Sequence, residues 1–110
     1  MPRNRRHDRF STPAALLDYE IIQERASALG RLGRALEAAL ASLREFDNAH
    51  QSSNASPAER QARRALVAEA GLALWMFVVQ REACGLRDGG TLMRDYKVPP
   101  DVQKRMGVFP

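Results

Sequence analysis

Ten consecutive residues, Ala70-Gly71-Leu72-Ala73-Leu74-Trp75-Met76-Phe77-Val78-Val79, are apolar, and Glu69 and Gln80 close the run on either side. The run is too short to cross a bilayer, which takes about 20 such residues. A helix that is apolar all round must be covered all round. One partner helix covers only a stripe, so part of Leu74, Trp75, Phe77 and Val78 is expected to stay open on a single chain. Self-association through these four residues, giving a dimeric helical bundle, is the expected cover. The alternative is a monomer whose C-terminal segments complete the core. A chain of this size buries only about 60–70% of its surface alone, which favours the dimer.

The rest of the chain supplies the partner helix. Thr12-Pro13 is a helix start: the hydroxyl caps unused backbone N–H groups, and proline at the first position loses no needed donor. Ile22, Leu29, Leu36 and Leu43 then recur every seventh residue, with Ala26, Leu32, Leu40 and Phe46 between them. This is a heptad-like seam, and Arg25, Arg31, Arg34, Glu37 and Arg44 lie largely off it. Gly30 and Gly33 admit a break or a close approach by a neighbour. The unshifted register favours an uninterrupted helix over 13–47. Residues 48–56 are polar and aperiodic, a loop.

Ser56-Pro57-Ala58-Glu59 is a capping box and opens a second helix over 57–84. Gly85 suits the left-handed residue that ends a helix, with Leu86 folding back on the last turn. Asp88-Gly89-Gly90 reads as a turn. Short helices follow at 91–96 and 100–106, with Leu92, Met93, Tyr96, Val98, Val102 and Met106 as an apolar face able to fold over the second helix. The expected fold is all-α: a long antiparallel helical hairpin with short C-terminal helices, one domain over 12–110.

Charge separates an arm from this domain. The formal net charge is +4, and Arg3, Arg5, Arg6 and Arg9 against Asp8 place +3 of it in the first ten residues. Residues 1–11 lack the apolar content for a core and are expected to be a disordered basic arm. No apolar stretch follows the arm, so it does not read as a secretory signal. A lone cysteine, Cys84, forms no intrachain disulfide, and the expected compartment is the cytoplasm. Arg outnumbers Lys fifteen to two, a skew typical of a GC-rich bacterial genome.

Catalytic chemistry finds little footing. Cys84 falls at a helix C-terminus, where the helix dipole disfavours a thiolate. His7 and His50 have no ligands at metal spacing, and the Glu-x-x-His pairs of a di-iron bundle are missing. Asp18, Glu20 and Glu24 read as a solvated face or as partners for arginine on another helix. Gln80-Arg81-Glu82 and Arg87-Asp88 read first as ion pairs fixing the tail. Gly89-Gly90 lacks the sequel of a phosphate loop. No enzyme and no cofactor is expected.

Residues 82–96 resemble helix–turn–helix repressors, whose Ala-Gly turn runs into a Gly-Thr-Leu recognition helix ending in an aromatic residue. The turn here is longer, and Arg94 followed by Asp95 makes a weakly basic recognition helix. The resemblance implies nucleic-acid contact by Thr91 and Arg94, with Arg3, Arg5, Arg6 and Arg9 on phosphates. A wider likeness rests on Asp18-Tyr19-Glu20, Ala28-Leu29-Gly30-Arg31, Gln80 through Asp88, Val98-Pro99 and Arg105-Met106-Gly107. In these the chain resembles a family of small alphaproteobacterial proteins, a domain of unknown function. That resemblance implies a small helical cytoplasmic protein and assigns no site. The leading expectation is therefore a non-enzymatic, self-associating interaction or structural protein without a membrane span. The alternative is a nucleic-acid-binding regulator using the arginine arm and the short C-terminal helices.

Overall fold

A computed structural model describes residues 12–51 and 54–107. It is all-helical: α1 Pro13–Ala49, α2 Pro57–Ala83, α3 Gly89–Asp95 and α4 Pro100–Arg105, with no strand among the described residues. Each start has a local cause. The Ala15 N–H donates to Thr12 Oγ1 at 3.1 Å, and the Glu59 N–H donates to Ser56 Oγ at 3.1 Å. Proline occupies the first turn of α1, α2 and α4. At the end of α2, Gly85 takes φ +86°, and the Leu86 and Gly85 N–H groups donate to the Arg81 and Glu82 carbonyls at 2.8 and 2.9 Å. These bonds satisfy carbonyls that the helix end leaves open.

Residues 88–90 are not a free turn. The Thr91 N–H donates to Asp88 Oδ1 at 3.0 Å, so Asp88 caps α3 and the helix begins at Gly89. Likewise α1 runs past residue 47 to Ala49. It closes at His50, whose N–H reaches the Phe46 carbonyl at 3.0 Å and whose ring stacks on Phe46 at 4.0 Å.

The core forms where α1 and α2 pack together. Leu36, Ala39, Leu40 and Leu43 of α1 meet Val67, Ala70, Leu74 and Phe77 of α2, and Leu92, Val98 and Val102 extend the cluster into the tail. Gly33 marks a close approach: a Cβ there would lie 3.2 Å from Tyr96 Oη and 3.3 Å from Phe77 Cζ. Phe77 and Tyr96 themselves meet edge to face, with centroids 5.5 Å apart. The helix passes through Gly30 and Gly33 unbroken, and at Gly33 a neighbour takes the space that a side chain would need. α4 packs on α2, with Arg105 lying against Gly71 and Gly107 against the Trp75 ring.

The two long helices differ in reach. At 1.5 Å per residue α1 is about 55 Å long and α2 about 40 Å. Gly33 lies beside Phe77 and Asp47 beside Arg63, which fixes the register. α1 consequently passes the end of α2 near Ile22 and Ala26, beside Cys84, at an open cavity of about 270 Å³. Every residue from 16 to 27 is exposed.

Candidate functional site

Two surfaces stand out, one apolar and one charged. On α2 the face away from α1 carries Leu72, Trp75, Met76 and Val79, the i, i+3, i+4, i+7 spacing of a single stripe. Trp75 is 39% exposed and Met76 is 47% exposed. The early turns of α1 add Leu16, Leu17, Ile21 and Ile22, of which Ile22 is 63% exposed.

Of the four residues expected to form the self-association face, Leu74 and Phe77 belong elsewhere. Leu74 is fully buried and Phe77 is 4% exposed, both inside the chain's own core. They fall on the stripe Val67, Ala70, Leu74, Phe77 that faces α1, so α1 is their cover. Val78 is half-buried beside Arg81, Leu86 and Leu92. Of the four, Trp75 alone lies on the open face.

The nucleic-acid candidates divide similarly. Arg3, Arg5, Arg6 and Arg9 lie outside the described residues. Thr91 is half-buried and serves the α3 cap: its hydroxyl donates to Asp88 Oδ2 and accepts from Arg94 Nη2 at 3.2 Å. These bonds from Thr91 hold the Asp88 carboxyl below its ordinary value. Arg94 and Thr91 are thus joined to each other, in a seven-residue helix whose Leu92 is buried in the core. Cys84 is half-buried at the α2 C-cap, where Gln80 Nε2 approaches its Sγ at 3.8 Å. His50 Nδ1 lies 2.8 Å from the Phe46 carbonyl. Glu24 reaches Arg31 at 3.6 Å on the same exposed helix. Among the described residues no cluster of three His, Cys, Asp or Glu could hold a metal ion.

The charged surface centres on Arg63. Its Nε and Nη2 donate to the two oxygens of Asp47 at 2.8 and 3.1 Å, and its Nη1 donates to Asp101 Oδ2 at 2.7 Å. One guanidinium thus ties the last turn of α1, the second turn of α2 and the first turn of α4. Hydrogen bonding from Arg63, ahead of direct charge attraction, holds the Asp47 carboxyl below its ordinary value. The same bonds from Asp47 and then Asp101 raise Arg63 above its own ordinary value.

Because Asp47 is depressed in the folded chain, its contribution is complete above the unfolded value near 3.8 and fades as pH falls through the folded value. The pair is 38% and 45% exposed, so solvent screening keeps its worth to about 1 kcal/mol. Arg63→Met should therefore lower stability by about that much at neutral pH. The difference from wild type should close in urea titrations as pH falls from the unfolded value near 3.8 through the lower folded value. A gap that persists in acid would assign the loss to packing instead.

Among the described residues no helix is long and apolar enough to cross a bilayer. The all-helical fold and these surfaces place the chain among small helical proteins. A family model described as Family of unknown function (DUF6665) matches residues 6–110, and the chain belongs to that family. No curated protein and no solved structure matches it.

Proposed function

We propose that this protein works by association rather than catalysis. In this reading α1 and α2 form an antiparallel helical hairpin, and two copies pair into a helical bundle. One observation carries it: the apolar surface of both long helices continues beyond what the other described residues cover. Leu16, Leu17 and Ile21 sit on turns of α1 beyond the end of α2, Ile22 lies at that end, and Leu72, Met76 and Val79 form a stripe opposite α1. A second copy suits these faces because a two-fold pairing needs only one self-complementary patch.

The exposed apolar residues of the early turns of α1 and the open face of α2 would form the centre of an interface, which in a stable pair takes roughly 20–30 residues a side. Full burial of each large apolar side chain is worth about 1.5–3 kcal/mol, and these are about half exposed. Closing seven of them on each copy gives a gain of the same order as the association cost, about 4–15 kcal/mol.

Light scattering on the intact chain at micromolar concentration should give a dimer mass. Leu72→Glu combined with Met76→Glu should give a monomer with unchanged helical circular dichroism, since neither side chain belongs to the core. A wild-type chain that stays monomeric would sink the proposal. So would a double variant that stays dimeric together with a dimeric Leu17→Glu/Ile21→Glu chain.

A further inference from the structure

The junction of α2 and α4 holds more positive charge than its own carboxylates neutralise. Arg60, Arg63, Arg64 and Arg105 line an open cleft of about 350 Å³ together with Val67 and Asp101. Arg63 is committed to Asp47 and Asp101. The other oxygen of Asp101 accepts from the Val102 N–H at 3.0 Å, so Asp101 has little left for the remaining arginines. Arg60 Nη1 donates to the Ala55 carbonyl and Arg64 Nη2 to Gln61 Oε1, each at 2.6 Å. Both acceptors are neutral, so both guanidiniums keep their full charge and further donors. The stem of Arg105 lies on Gly71, and its guanidinium makes no ion pair among the described residues. Arg60 and Arg64 are also one helical turn apart, a like-charge spacing that is unfavourable unless an anion lies between them.

We propose that this cleft is a binding site for a phosphate group. A tetrahedral phosphate offers acceptor oxygens in several directions, which matches forked donors arriving from Arg60, Arg64 and Arg105 together. A planar carboxylate is satisfied by a single fork, as Asp47 is by Arg63. The cleft is at the small end of ligand-pocket sizes, and Val67 gives it an apolar lining residue. It therefore accommodates a phosphate with a small organic body, whether from a free phosphate ester or from one unit of a nucleic-acid backbone. No residue lining the cleft belongs to an apolar face of the proposed dimer, so the calorimetric titration reads the site separately from oligomeric state.

The test is calorimetric titration of the full chain with pyrophosphate at low salt. Trp75 fluorescence serves as a second readout, because Gly107, two residues beyond Arg105, sits against the Trp75 ring. Saturable binding is expected. Arg64→Ala and Arg105→Ala should each weaken it by about tenfold or more, a loss expected for charge-assisted forks. Arg64→Lys should weaken it less, and Arg34→Ala, on α1 away from the cleft, should not change it. Circular dichroism checks that each variant folds. Displacement of pyrophosphate by a short single-stranded oligonucleotide would assign the phosphate to a nucleic-acid backbone, and failure to displace would assign it to a small ester. Absence of saturable binding, or equal affinity in wild type, Arg64→Ala and Arg105→Ala, would overturn the site. Equal weakening by Arg34→Ala would overturn it too, since diffuse charge would then suffice.

Discussion

Leu74→Ala should cost the fold about 2–5 kcal/mol, the range for truncating a buried leucine. Leu74 has no exposed surface and lies in the core between α1 and α2, with Ala70 and Phe77 on the same face. The truncation leaves a cavity that two long helices, pinned at Arg63 and by the tail, cannot easily collapse. Leu72 is only two residues away but points to the opposite side and is 44% exposed. Leu72→Ala should change the stability of the monomer by no more than about 0.5 kcal/mol, as for a surface site. Urea denaturation of the two variants, at a concentration where both are monomeric, separates them. Equal losses would mean that the open face of α2 is covered within one chain, and the proposed association would lose its main support.

That contrast shows where the sequence is legible and where it is mute. Helix starts are local chemistry, so Thr12-Pro13 and Ser56-Pro57 could be read directly, and the side-chain caps are present in the structure. The seven-residue spacing of Ile22, Leu29, Leu36 and Leu43 likewise marked one continuous helix. Inside residues 70–79 every position is apolar, so periodicity carries no signal and Leu74 cannot be told from Leu72 by residue type. Only the phase of the flanking polar residues bears on it. Gln61 and Ala65 are exposed and lie four apart, and the same progression leads to Leu72, Met76 and Val79 as the outer face. At Asp88 the sequence is ambiguous, because an Asp-Gly-Gly string is equally a turn and a cap followed by two permissive residues, and the structure shows the cap. The Arg63 junction was not visible at all, since its partners stand 16 and 38 residues away and only the folded register brings them together.

Gly71→Val should weaken the docking of α4 and cost about 1–3 kcal/mol, the usual penalty for overpacking a tight contact. An added Cβ would sit 2.9 Å from Arg105 Cγ, 3.0 Å from its Cβ and 3.2 Å from its backbone carbon. The Cγ could swing away, but the backbone carbon moves only if α4 moves. Moving α4 disturbs Val102, which is fully buried, and the Asp101 contact to Arg63 at 2.7 Å. The gain in helix propensity on replacing glycine, about 1 kcal/mol at most, offsets only part of this. Gly30 is the internal control. A Cβ there would meet only the tip of Arg34 on the same helix at 3.2 Å, and that side chain is free to turn aside. Gly30→Ala should therefore raise stability by up to about 1 kcal/mol. Trp75 emission should shift in Gly71→Val and stay unchanged in Gly30→Ala, because Gly107 leaves the Trp75 ring when α4 moves. Stabilisation by both substitutions, with no change in emission, would show that α4 repacks around a side chain at position 71 at little cost.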